Sequence, residues 1–295
     1  MKILVNRKIV EGPWGGGNNF VRALCKGLTD RCHSVTHTLE PDIGCFFLVD
    51  PRPDADCPGL AHLMQDRQKF GHVKIIQRIN ECDARKNTEH MDPLLLHCSD
   101  FINRTIFVSS WTQDYFVQKG WKCSDITSIH NGVDKTIFRP GPRQQGRLSS
   151  VVAHHWSNNL LKGFDAYEFL DYMAGKDLIE FTYIGRHRGT FKHTRCIDPC
   201  SGHDLARRLM GHDIYISGSR FDPGPNHVLE AIATGLPTYV HSDGGGAVEF
   251  AGKSHTFGNL SELEDLILRN DFKQNEYQPM SWEQSIQAYI REIER

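Results

Sequence analysis

The 295-residue sequence has no apolar run near the roughly 20 residues that span a bilayer, so no transmembrane segment is expected. It has almost no excess charge, since 34 Lys and Arg stand against 36 Asp and Glu for a net −2. Nucleic acid is bound by a basic surface, and this balance offers no electrostatic argument for such a partner. A disulfide framework is missing too: the nine cysteines are scattered, odd in number and without framework spacing. Reduced thiols and a cytoplasmic location are the expectation. The opening MKILVNRKIVEG is too short and too polar for a secretory signal and reads as a first strand. No internal repeat or low-complexity segment breaks the chain.

What remains is a globular composition, 39% hydrophobic and 24% charged, at a length that suits two domains of about 150 residues. Apolar strand candidates fall at Lys2–Asn6, Cys45–Val49, Val73–Gln77 and Thr105–Val108, with helical stretches between them. Between the first strand and a helix carrying Phe20, Leu24 and Leu28 lies a glycine turn that includes Gly15, Gly16 and Gly17. Strand, glycine loop and helix open a doubly wound α/β domain, although such a turn can also be a plain tight connection. The chain turns strongly polar at Arg143–Arg147, which marks an interdomain linker. The alternation then restarts with strands near Val151–His154, Glu180–Ile184 and Asp213–Ser217. Residues 1–145 and 146–278 are the expected domains, each a Rossmann-like parallel sheet. In the closing segment, 279–295, Trp282, Ile286, Tyr289, Ile290 and Ile293 form one helix face that must bury against something already folded.

The stretch Ser217–Glu249 has the richest pattern: a loop closing at Asp222, a Pro-Gly-Pro-Asn turn, a helix starting near His227, a short strand and the glycines 244–246. Two helix N-termini entered through glycine or proline turns would converge, and unpaired N–H groups there suit an anion such as a diphosphate. Asp222 and Glu230 could hold hydroxyl groups beside it. A diphosphate flanked by hydroxyls describes a nucleotide sugar.

Other candidates each have a plainer alternative. Glu81 and Asp83 lie just past a buried strand, where catalytic groups are often held, yet the segment 78–86 also reads as a solvated loop. Lys162 precedes a glycine at the mouth of a helix and could meet a phosphate, or be a surface lysine beside a turn. His193, Cys196, Cys200 and His203 have a spacing close to that of zinc ligands, but Pro199 already explains a turn and no metal is expected. Of His154 and His155, adjacent on a strand, at most one can line a cleft.

Together these residues resemble the retaining GT-B glycosyltransferases of the large sucrose-synthase-like group. The match runs through His130-Asn-Gly-Val-Asp134, Phe138-Arg-Pro140, Lys162-Gly-Phe-Asp165, Gly185, Asp222-x7-Glu230 and the glycines 244–245 with Glu249. The resemblance implies two Rossmann-like domains facing a cleft, with residues 282–293 packing back on the first. It implies a UDP- or GDP-sugar donor held mainly by the second domain, and a glycan or other hydroxyl acceptor met mainly by the first. Lys162 would neutralise the diphosphate, Glu230 would bind the ribose hydroxyls and Asp222 would touch the sugar. Backbone groups at Gly224, Asn226 and His227 would reach sugar and phosphate, and Gly16 and Gly17 would close on the diphosphate from the other domain. No cofactor or bound metal is implied. Asp222 is one methylene shorter than the family's glutamate. Ser157 stands where an arginine is expected, a charge that Arg186 or Arg188 would supply. A catalytically silent nucleotide-sugar-binding subunit, and a phosphorylase or epimerase of the same fold, are the alternative functions.

Overall fold

The computed structural model describes residues 1–10, 16–54, 56–142, 148–189 and 191–295. Gly15 and the linker segment 143–147 therefore lie outside the described residues. The elements run β1 (Lys2–Val5), α1 (Gly16–Asp30), β2 (Ser34–Thr36), β3 (Ile43–Leu48), α2 (Leu60–Gln65), α3 (Arg67–Phe70), β4 (Lys74–Ile79), α4 (Met91–Cys98), β5 (Arg104–Phe107), α5 (Ser110–Gln118) and β6 (Ile126–Ser128). They continue with β7 (Ser149–His155), α6 (Phe164–Ala174), β8 (Ile179–Gly185), β9 (Arg195–Ile197), α7 (Gly202–Met210), β10 (Ile214–Ser217), α8 (Asn226–Ala233), β11 (Thr238–His241), α9 (Gly246–Ala251), β12 (Thr256–Phe257), α10 (Leu260–Arg269) and α11 (Trp282–Glu294).

The chain forms two compact units. The first holds Met1–Asp83, Asn87–Gly132 and Trp282–Arg295; the second holds Ala84–Lys86 and Val133–Ser281. The dividing point falls at Gly132–Val133, ahead of the polar segment that suggested residue 145. Val133 and Phe138 explain the difference, because both are buried in the apolar core of the second unit with Val152, Leu205 and Leu209. Side-chain burial sets the boundary, and polar composition only marks where the chain is solvated.

Each unit is built on a six-stranded parallel sheet, ordered β2-β1-β3-β4-β5-β6 in the first and β12-β11-β10-β7-β8-β9 in the second. Central strands such as β1, β3 and β10 are buried almost throughout, which is why they read as apolar runs. The edge strands β2, β9 and β12 are two or three residues long and partly exposed, so they carry no such run. In a doubly wound sheet, ligands bind beyond the carboxyl ends of the strands where the winding reverses. That point lies between β1 and β3 in the first sheet, and between β7 and β10 in the second.

The core of the first unit is closed by α11, whose Ile286, Tyr289, Ile290 and Ile293 are buried with Phe20, Leu24 and Leu28 of α1. Phe20 and Tyr289 meet edge to face with ring centroids 4.9 Å apart. The two helices approach through Gly27, where a Cβ would lie 2.5 Å from Ile286 Cγ2 and 3.2 Å from Ile290 Cδ1. Gly27→Val is expected to overpack this contact and destabilise the unit by about 1–3 kcal/mol. Circular-dichroism melting checks it, and an unchanged midpoint would mean that α1 and α11 have room to part.

Candidate functional site

The switch point of the second sheet gathers chemistry from three connections. The loop after β7 runs through a short 3-10 turn, Leu160–Lys162, into Gly163 and α6. Gly163 has φ +85°, and a Cβ there would overlap the backbone of Gly218, so the two loops touch through glycines. Arg220 N–H donates to Leu161 O at 2.8 Å, and the Arg220 guanidinium forks onto Asp165 at 2.6 and 3.0 Å. These contacts lock the loop that carries Lys162 to the loop that carries Asp222.

At their meeting point Lys162 Nζ lies 2.6 Å from Asp222 Oδ2, with both side chains at least nine-tenths buried. Arg85, which clusters with this unit, has Nε 4.0 Å from Asp222 Oδ1. Burial alone would push the Asp222 carboxyl up. Lys162 and then Arg85 outweigh it and hold the group at about 2. The backbone of Asp222 is fixed as well: its N–H donates to Gly244 O at 3.2 Å, and its carbonyl accepts from Gly246 at 2.9 Å. Phe221 just before it adopts φ +55°, a conformation that bulky residues seldom take unless their surroundings hold them there.

This use of Gly246 changes one expectation. The glycines 244–246 were to offer amides to an anion, but Gly246 N–H is bonded to Asp222, and those of Ala247 and Val248 to Gly244 and Gly245. Gly245, at φ +68°, lets the loop pass close to Asp222, because a Cβ there would be 2.8 Å from its carbonyl oxygen. The glycines thus serve the approach of two loops.

His154 and His155 close β7 and point to opposite faces. His154 Nε2 meets Glu230 Oε2 of α8 at 3.0 Å. His155 Nε2 bonds the Tyr167 hydroxyl, which also accepts Gly218 N–H at 3.0 Å. His227, in the first turn of α8, bonds Ser217 Oγ at 3.0 Å, and its ring centroid is 4.5 Å from that of His155. Burial pushes His155 well below the ordinary 6.5, and His227 and Lys162 push it the same way. His227 is also held well below that value, by burial first and then by Lys162 and His154. The switch point therefore gathers three imidazoles, of which those of His155 and His227 resist protonation, together with two carboxylates and an ammonium.

The other candidates fall as follows. Gly224 and Asn226 form the turn into α8. Gly185 ends β8 at φ +127°, where a Cβ would overlap the His155 carbonyl, so its glycine is required by packing. Arg186 is exposed, with its guanidinium 4.4 Å from the ring centre of Trp156, the residue before Ser157. In the first unit, Gly16 and Gly17 begin α1. Glu81 is half-buried just past β4. Asp83 accepts from Met91 N at 2.9 Å, Asp92 N at 2.8 Å and the Thr88 hydroxyl, which tethers its carboxylate to the start of α4. Among the described residues no three His, Cys, Asp or Glu side chains are grouped to hold a metal ion. No described helix is long and apolar enough to cross a membrane.

No family model matches this sequence, and no curated protein does. Solved structures match through shape. HepE of Anabaena, in complex with UDP and glucose, is 14% identical with TM-score 0.68, over 99% of this chain and 95% of its own. A sucrose-phosphate synthase from Thermosynechococcus elongatus is 13% identical with TM-score 0.64, over 97% and 94%. A TarM variant of S. aureus, in complex with fondaparinux, alpha-GlcNAc-glycerol and UDP, is 12% identical with TM-score 0.61, over 93% and 55%. The fold is GT-B. Within this GT-B chain, the residues singled out by spacing are Lys162, Asp222 and Glu230, of which the fold sets Lys162 against Asp222 and Glu230 against His154. Tyr167 and Ser217 were not singled out, because a tyrosine and a serine on core elements carry no signal until the topology brings them to β7.

Proposed function

We propose that this chain is a glycosyltransferase that moves a sugar from a UDP- or GDP-sugar to a glycan or other hydroxyl acceptor, with retention and without a metal. The observation that carries this reading is the buried Lys162 ammonium at the second sheet's switch point, beside Asp222 and on the same crevice as Glu230. An ammonium held in a low-dielectric crevice stabilises the charge that develops on a leaving diphosphate. Glu230 takes the ribose hydroxyls, Asp222 takes the sugar, and the turn at Gly224, Asn226 and His227 supplies backbone groups to sugar and phosphate. In the transfer the bond from the anomeric carbon to the diphosphate oxygen breaks. The acceptor oxygen then bonds that carbon from the same face, and its proton passes to a phosphate oxygen of the departing nucleoside diphosphate. The UDP bound by HepE and by TarM in the structures compared above supports a uridine donor.

The test is a thermal-shift screen against UDP- and GDP-sugars, followed by turnover with glycan acceptors. Binding at 100 times Kd stabilises by about 2.7 kcal/mol, which raises the midpoint by several degrees. No shift with any nucleotide sugar would overturn the reading. A shift without turnover would leave a silent nucleotide-sugar-binding subunit in its place.

A further inference from the structure

We propose that His154 is the positioning residue for Glu230, holding one carboxylate oxygen so that the other is presented to the ribose hydroxyls of the donor; this rests on the functional reading above. His154 is fixed from several sides. Its backbone N–H donates to the Tyr215 hydroxyl at 3.3 Å, and that hydroxyl donates back to the His154 carbonyl at 3.2 Å. Its ring stands edge-on to Tyr215 and His227, with centroids 5.4 and 6.0 Å away. A carboxylate only accepts, so the Nε2 that meets Glu230 Oε2 at 3.0 Å carries the proton. The remaining ring nitrogen, Nδ1, is buried with no hydrogen-bond partner among the described residues. Packing alone would have placed an apolar ring there without leaving an unsatisfied nitrogen, so the retained imidazole points to its bond with Glu230.

Glu230 is equally constrained at its root, since it projects from the middle of α8. Its side chain is 20% exposed, against 9% for His154. Oε1 has no hydrogen-bond partner among the described residues, whereas Oε2 is engaged. A glutamate on a helix has three side-chain torsions to fix before it can accept two hydroxyls. Tying one oxygen to a rigid imidazole removes most of that ordering from the binding step. The benefit is confined to a ligand that carries the hydroxyls.

That selectivity separates positioning from ordinary core packing. Isothermal titration would compare UDP with 2′,3′-dideoxy-UDP, or GDP with its dideoxy analogue if the wild type binds GDP instead. His154→Ala is expected to weaken the ribonucleotide about three- to tenfold and to leave the dideoxy analogue within about twofold. His154→Gln, whose amide can donate to the same oxygen, is expected to recover part of the loss and serves alone if the alanine variant does not fold. The double variant His154→Ala, Glu230→Ala should bind no more weakly than Glu230→Ala alone. Equal weakening of both nucleotides, or additive losses in the double variant, would overturn the positioning role. If Glu230→Ala weakens the ribonucleotide and neither His154 variant does, this role fails while the functional reading stands. If the wild type binds neither nucleotide, both fall.

Discussion

Replacing Lys162 by methionine is expected to destabilise the second unit by about 3–5 kcal/mol and to weaken nucleoside diphosphate binding about 10- to 100-fold. The stability term comes from the partner left behind. Asp222 is 4% exposed, and with Lys162 removed its carboxylate stays in the interior facing the more distant Arg85. A hydrophobic side chain of similar length fills the volume, so a cavity does not account for the loss. The sign with pH follows from the Asp222 carboxyl, which is held at about 2 in the folded chain against an ordinary 3.8. Its contribution is present above 3.8 and is lost as pH falls through about 2, so the gap between wild type and variant should be full at pH 7. Urea unfolding at pH 7 checks this, with a midpoint lower by about 1 M or more. The companion Asp222→Asn should act oppositely on binding, because the Lys162 charge is then no longer shared with a carboxylate. Tighter UDP binding with loss of turnover is expected for that variant. If Lys162→Met unfolded like the wild type, the buried pair would be contributing nothing.

How much of this was legible depends on the range of the signal. Buried parallel strands announce themselves, since Val151–Ala153 or Ile214–Ile216 are apolar whichever face they show. The spacing of Asp222 and Glu230, and the glycine after Lys162, are local patterns of loop and helix, and the sequence shows them without any knowledge of the fold. The pairings between these residues were out of reach. Lys162 and Asp222 are 60 residues apart, and only the side-by-side pairing of β7 with β10 makes them neighbours. The same crossing decides which of His154 and His155 meets Glu230. Alternation along the strand said that the two diverge, but no pattern said which face α8 would cover. Asp83 is the converse case: a carboxylate just past a strand reads as a candidate for chemistry, and in the fold its oxygens accept from the first amides of α4. The dipeptide Gly132–Val133 carries no linker signature, because a chain crossing between two folded units has side chains to bury on both sides.

The largest response to solution conditions is expected from the imidazoles. His155 and His227 are held well below 6.5 by burial, and the half-buried His212 is held at about 4 by desolvation. A histidine whose folded pKa is lowered takes up its proton more readily in the unfolded chain. Stability from such a group is complete above about 6.5 and declines as pH falls from there towards the folded value. Each group contributes a slope of up to about 1.4 kcal/mol per pH unit, so three together approach about 4 kcal/mol per unit between pH 6 and pH 5. That is a large share of the 5–15 kcal/mol typical of a whole domain. The second unit is therefore expected to lose its melting transition at a pH where the carboxylates are still ionised. Asp222 does not account for such a loss, because its own titration lies near 2. Calorimetric scans from pH 8 to pH 5 measure the slope directly. His212→Gln, remote from the crevice, should flatten it by about one third, whereas an unfolding midpoint that stays level to pH 5 would show that these rings accept protons in place.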